Sequence, residues 1–259
     1  MTVYEQVIKQ ELYQWQKKIQ KRPSTFNRLA KSFQSRINRF IPDKVHQAVT
    51  ATIKQMTRGV LYGAGFTTRI LATDLSLQAR DEAAKKRIAF YKKTGATEGA
   101  LTGAGGFWLA LADFPLLLGI KMKMLFEIAA LYGHPIDDYR ERLFILHVFQ
   151  LAFSSQERRR EVYGLMENGD DQSKLLSDDI NQFDWRTFQL EYRDYIDLAK
   201  MAQLIPGVGA AVGLVVNYQL IKSLGTTAMN AYRMRWLEAK RKEKSGLYHP
   251  KENSLKDGL

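Results

Sequence analysis

Glycines spaced by four inside apolar, helix-forming stretches constrain this chain more than any other feature. Gly95, Gly99 and Gly103 follow one another at that interval, as do Gly59 and Gly63, and Gly209 and Gly213. On an α-helix that spacing returns to one face, so each set lays a strip of bare backbone along one side. A helical glycine costs about 1 kcal/mol relative to alanine, so a row of them needs a compensating gain. The gain expected here is close approach of another helix into the vacated space. Gly105 and Gly207 stand two residues from Gly103 and Gly209 in the GAG and GVG phrases, and Gly95, Gly99, Gly103, Gly105, Gly207, Gly209 and Gly213 are the predicted packing positions.

The rest of the chain agrees with a helical interior. Nearly every segment has helical period, and none alternates convincingly as a strand. Tyr4, Ile8, Leu12, Trp15 and Ile19 form one stripe; Pro23 and Pro42 mark breaks. A long segment over roughly 65–93 is expected to end before Gly95, followed by 99–112 and 114–132, divided at Asp113. Pro135, Asp137 and Asp138 suit the first turn of the next helix. Ser154 and Glu157 have capping-box spacing for the one after. A seam of Trp185, Phe188, Tyr192, Tyr195, Ala199 and Ala202 predicts a helix that meets a partner, and 207–221 and 222–243 complete the set. The resulting expectation is all-α. A single helical-bundle-like domain over 56–243 holds two glycine-rich buried helical hairpins. A basic amphipathic helical arm (1–55) precedes it, and a flexible basic tail (244–259) follows.

The phrases GAGFTTRILATD (63–74) and GAGGFWLALAD (103–113) share a motif, and GVGAAVGLVVNY (207–218) places Asn217 ten residues after Gly207, as Asp113 follows Gly103. This weak internal repeat makes Asp113 and Asn217 a candidate polar pair in the core. The glycines do not read as phosphate loops, because no strand precedes them and the Lys-Ser/Thr of a P-loop is missing. Residues 201–221 are uncharged, yet Gln203, Pro206, Asn217 and Gln219 interrupt them. Asp113 interrupts the apolar run 99–120. A bilayer span is disfavoured by such polar groups, and packed hairpins are the preferred reading.

Charge points to a polyanionic partner. The formal net charge is +12, and it is unevenly placed. Residues 1–50 hold ten Lys/Arg against three Asp/Glu, 134–203 hold nine against fourteen, and 233–259 hold eight against four. Lys17, Lys18, Lys21 and Arg22 beside Trp15, and Arg233, Arg235, Lys240, Arg241 and Lys242 beside Tyr232 and Trp236, form two basic-aromatic clusters. Such clusters suit an anionic lipid surface, where each cation gains about 1 kcal/mol and aromatic rings settle at the interface. Nucleic acid is the weaker reading, since no recognition motif appears. With no cysteine, disulfide frameworks, thiol nucleophiles and cysteine-ligated zinc are excluded. The N-terminus lacks the apolar core of a signal peptide, so a cytoplasmic protein is expected.

Four phrases carry a family resemblance: GAGGFWLALADFP (103–115), IAALYG (128–133), IPGVGAAVGLVVNY (205–218) and GTTAMNAYRMRW (225–236). In this order, over roughly 60–240, the chain resembles the EcsC family. The resemblance implies a bacterial, intracellular, all-helical protein of no established biochemical activity. It also implies an association with an ATP-binding cassette transporter, from which the family takes its name.

A catalytic set does not emerge. Asp113, followed by Pro115, fits a helix N-cap, or a buried carboxylate whose desolvation would raise its pKa. His147 lies in an apolar helix without a second histidine at metal-binding spacing, so a core imidazole is the simpler reading. Asp113 and His147 are the only candidates for a hydrolase-like site; no cofactor or metal is indicated. The sequence therefore favours a non-enzymatic protein associated with the inner face of the cell membrane and with a membrane complex there.

Overall fold

The structure is a computed structural model and describes residues 1–21, 47, 51–55, 58–59, 75–104, 114–167 and 209–245, of which 99–104, 114 and 209–213 are described by backbone alone. Every regular element among them is helical. The principal ones are α1 (Val3–Gln20), α2 (Leu77–Ala104), α3 (Phe114–Leu131), α4 (Tyr139–Phe153), α5 (Gln156–Glu167) and α6 (Gly209–Lys244). The all-α expectation holds. Arg22, Gly105, Asp113, Gly207 and the 185–202 seam lie outside the described residues.

The spine is an antiparallel pair, α2 with α6. Asp81 meets Arg233 near one end, Ile88 meets Gly225 in the middle, and Gly95 meets Ile221 farther along. A methyl group added to Gly95 would run into Cδ1 of Ile221, and one added to Gly225 would meet three atoms of the Ile88 side chain. Close approach is thus realised at Gly95, and also at Gly225. Gly99 and Gly103 lie within α2, and Gly209 and Gly213 within α6.

Two expected breaks are corrected. α2 does not end before Gly95 but runs through it, and α6 does not divide at 221/222 but is continuous over 36 residues. The physical reason is the same in both. Glycine weakens a helix locally, while Ile221, Leu224 and Ala228 are fully buried, and this packing outweighs the propensity loss.

α1 begins with a capping box: the Thr2 hydroxyl accepts from Glu5 N–H (3.2 Å), and Glu5 Oε2 accepts from Thr2 N–H (2.8 Å). Its Ile8, Leu12 and Ile19 are buried, with Tyr4 and Trp15 packed beside them, as the stripe predicted. Those three side chains belong to the common core, so residues 3–20 are part of the bundle rather than a separate arm. α3 and α4 are apolar on nearly all sides and are enclosed over most of their length: every residue from Met124 to Ala130 and from Leu143 to Phe153 is buried.

α3 ends in a Schellman motif. Gly133 N–H bonds Ala130 C=O (3.0 Å), His134 N–H bonds Ala129 C=O (3.1 Å), and Gly133 has φ +85°. Only glycine takes that conformation without strain, which accounts for the end of the IAALYG phrase. The next helix starts later than Pro135: Asp138 is the N-cap of α4, accepting from Arg140 N–H at 2.9 Å, while Pro135 C=O accepts from Asp138 N–H. The cap of α5 also shifts by one residue. Ser154 N–H is still bonded to Gln150 C=O as the end of α4, so the hydroxyl serving Arg158 N–H belongs to Ser155 (3.4 Å).

Candidate functional site

A buried polar seam runs between α1, α2, α4 and α6. At its centre Asp81, 0% exposed, accepts from Tyr4 Oη (2.6 Å), from Tyr132 Oη, and from Nε (2.9 Å) and Nη2 (2.7 Å) of Arg233. Arg233, 5% exposed, also reaches Glu11 (3.2 Å) and Asn230 Oδ1 (3.1 Å). Burial by itself lowers the guanidinium pKa, but the Asp81 carboxylate more than offsets that and pushes it up. Burial, and then the bond to Asp81, push the Tyr4 hydroxyl up to about 12 and the Tyr132 hydroxyl well above its ordinary value.

The seam continues on both sides. Tyr132 stacks on Tyr232 (5.5 Å between centroids), whose hydroxyl donates to Glu141 (2.7 Å). Glu141 is also held by Arg235 at 2.6 Å. His134 Nδ1 lies 3.6 Å from the same carboxylate, but Glu141 is already engaged with Arg235 and Tyr232. Burial, then Arg235 and Arg80, therefore dominate and lower the imidazole pKa to about 2. On the other side Lys240 binds Glu5, and Arg80 donates to the carbonyls of Leu131 (2.8 Å) and Leu75 (3.1 Å) while lying over the Trp236 ring. Both oxygens of Asp81 are taken up by internal donors, so this seam acts as a clamp between helices. It cannot present that carboxylate to a substrate without dismantling itself.

A second arrangement faces solvent. A groove of about 330 Å³, within the roughly 300–1,000 Å³ range of small-molecule sites, opens where the last turns of α1 pass α6 and the junction of α4 with α5. Its rim carries Lys18, Arg159 and Lys222. Gln219, Ser223, Thr226 and Thr227 line one wall, at spacings that bring them to one side of α6. Trp15, Ile19, Leu151 and Ala152 supply an apolar floor. No carboxylate lines the groove among the described residues. Arg159 is anchored through Nη2 to Ser154 C=O (3.1 Å). The end of α1 is held in place by Gln156, whose amide donates to Ile19 C=O (2.6 Å) and Lys21 C=O (3.0 Å), satisfying carbonyls the helix leaves open.

The outward face of α1 adjoins this groove. Val3 is 80% and Tyr13 57% exposed, with Val7, Lys17 and Lys21 on the same side. Lys17 Nζ lies 4.5 Å from the Tyr13 ring centre.

The predicted site residues divide sharply. Lys17, Lys18 and Lys21 are exposed at the end of α1, where the sequence placed them. The C-terminal cluster is corrected: Arg233 is buried and paired with Asp81, Arg235 is spent on Glu141, and Lys240 on Glu5. Lys242 pairs with Glu238 at 3.4 Å, and Arg241 is exposed. Arg233, Arg235 and Lys240, in the last third of that helix, hold it to its neighbours.

His147 is buried in α4, and that burial lowers its pKa to about 4, with Arg158 adding to the shift and Gln150 opposing it. Asn217 is buried in α6; its proposed counterpart Asp113 lies outside the described residues. Among the described residues no group of three or more His, Asp or Glu could hold a metal ion. No helix among them is long and apolar enough to cross a membrane.

Sequence reasoning missed Asp81, Glu141 and Lys222. The one available signal was that Asp81 stands on the Leu77, Ala84 and Ile88 stripe of its helix, where an unpaired polar group would be costly.

Comparison with known proteins places this architecture. The EcsC protein family model matches residues 6–237, which includes most of α1 as well as the bundle. The chain is 44% identical over 234 residues to Protein EcsC of Bacillus subtilis (strain 168), covering 90% of this chain and 96% of that protein. It is 29% identical over 168 residues to the uncharacterized protein YdbA of the same organism, covering 64% of this chain and 61% of that one. No solved structure matches the chain. Two of the four phrases coincide with structural devices described above, the Schellman end of α3 and the Gly225–Arg233 stretch that packs against α2, and a third carries the buried Asn217 of α6; residues 105–113 of the remaining one lie outside the described residues. By its sequence over nearly its whole length, this chain belongs to the EcsC protein family.

Proposed function

We propose that this protein is a non-enzymatic helical accessory protein that docks on the anionic inner face of the cell membrane and serves a membrane complex there. The outward face of α1 carries this reading. Val3, Val7 and Tyr13 are exposed on a helix whose last turns also present Lys17, Lys18 and Lys21. An apolar strip with an aromatic ring and lysines at its border is the composition that lies along a lipid headgroup layer. Three such cations near an anionic surface contribute about 3 kcal/mol, roughly a hundredfold in affinity. The seam beneath supports the reading, because Tyr4, Glu5 and Glu11 fasten α1 to α2 and α6 and keep its apolar inner face covered. The helix then docks as an outer layer of a rigid body, without having to unfold.

Vesicle flotation of the full chain tests this. Binding is expected to rise with the fraction of anionic lipid and to fall with added salt. The double variant Lys17→Glu/Lys21→Glu is expected to weaken it roughly tenfold or more. Binding indifferent to anionic lipid and to salt, or unchanged in the double variant, would refute it.

A further inference from the structure

We propose that the groove bounded by α1, α4, α5 and α6 is a binding site for a single phosphate-bearing amphiphile, its phosphate among Lys18, Lys222 and Arg159 and its alkyl chain on the Trp15–Ile19–Leu151 floor. The proposal deepens the membrane-docking reading and rests on it for the source of the ligand, a phospholipid in place of a free anion.

Charge pairing elsewhere in the molecule makes the groove stand out. Arg87, Arg233, Arg235, Lys240 and Lys242 each have a carboxylate within 4.0 Å. Lys18 and Lys222 have none among the described residues, yet both line one concavity with a third cation, Arg159. Lys18 and Lys222 repel each other across the groove, and a bound anion relieves that repulsion. The remaining polar lining consists of groups able to donate: the Gln219 amide and the hydroxyls of Ser223, Thr226 and Thr227. Cationic and neutral donors around an acceptor-rich ligand suit a phosphate, which takes several charge-assisted hydrogen bonds at once. The floor adds a second requirement. A free anion would leave the half-buried Trp15 ring in contact with water, whereas an alkyl chain attached to the phosphate covers it. Arg159 is already held by Ser154 C=O and the end of α1 by Gln156, so the cationic rim is largely pre-formed.

The test is calorimetric titration of the full chain with dodecyl phosphate below its micelle concentration, with inorganic phosphate, and with dodecyl maltoside. Dodecyl phosphate is expected to bind at least about tenfold more tightly than either of the others. Lys222→Gln and Lys18→Gln, both on exposed positions, are each expected to weaken it about tenfold while helicity stays unchanged. Inorganic phosphate binding as tightly as dodecyl phosphate would overturn the amphiphile. Dodecyl phosphate binding unaffected by both substitutions would overturn the site. Flotation of Lys222→Gln, which retains Lys17 and Lys21, separates the two readings. Flotation without dodecyl phosphate binding in the parent protein refutes the groove alone, and dodecyl phosphate binding without flotation refutes docking alone.

Discussion

Replacing Gly225 by alanine should destabilise this protein, although the same replacement in most helices stabilises. An alanine Cβ at this position would lie 2.6 Å from Cγ1, 2.8 Å from Cδ1 and 2.9 Å from Cγ2 of Ile88. Ordinary carbon contacts lie at about 3.5–4.0 Å, so the Ile88 side chain would have to retreat by nearly an ångström. Two of the three atoms are bonded directly to Cβ of Ile88, so a rotamer change cannot remove the conflict. The α2 backbone is held nearby by the Asp81–Arg233 pair. Overpacking of this kind costs about 1–3 kcal/mol, and alanine recovers about 1 kcal/mol of helix propensity, leaving a net loss of about 1 kcal/mol. Gly119 of α3 supplies the contrast. Nothing lies within 4 Å of its added Cβ, so Gly119→Ala should gain up to about 1 kcal/mol. The assay is urea unfolding followed by far-ultraviolet circular dichroism, in which a shift of midpoint at constant slope reports stability. Introducing Ile88→Ala into the Gly225→Ala background should cost less than it does in the parent, because the two changes share one space. If Gly225→Ala stabilises as much as Gly119→Ala, the close α2–α6 approach is wrong.

Asp81→Asn should cost about 3–5 kcal/mol, since it removes the buried counter-charge of Arg233 and leaves only the exposed Glu11, whereas Asp81→Leu combined with Arg233→Met should be far milder; thermal unfolding of the three proteins compares them. Stability should also fall on mild acidification. His134 and His147 have folded pKa values lowered to about 2 and about 4, so their contribution is complete above the unfolded value near 6.5 and is lost as pH drops below it. Between pH 6.5 and 5 the unfolded imidazoles take up protons that the folded ones refuse, at about 1.4 kcal/mol per pH unit for each. Unfolding midpoints measured across that window should flatten in a His134→Gln/His147→Gln variant; an unchanged slope would show that other groups carry the dependence.

Much of the architecture was legible because it depends on local order in the chain. The apolar stripe of α1, the absence of alternating segments and the four family phrases each sit within a few turns of helix, so period and spacing reveal them. What the helices do to one another was not legible. Breaks were expected before Gly95 and at 221/222, yet α2 and α6 run on because Ile221 fills the space at Gly95 and Ile88 the space at Gly225. The C-terminal cations looked like a surface stripe because their partners are remote: Asp81 is 152 residues from Arg233, Glu141 is 94 from Arg235, and Glu5 is 235 from Lys240. The lysines of α1 look the same in a sequence and remain on the surface. Only tertiary structure separates the two sets, because a carboxylate neutralises a cation through a few ångströms of space, whatever the length of chain between them. The same holds for the groove, whose rim draws single cations from α1, α5 and α6. Helical class and family were therefore set by the order of residues, while the free or spent state of each charge was decided by the packing that brings distant helices together.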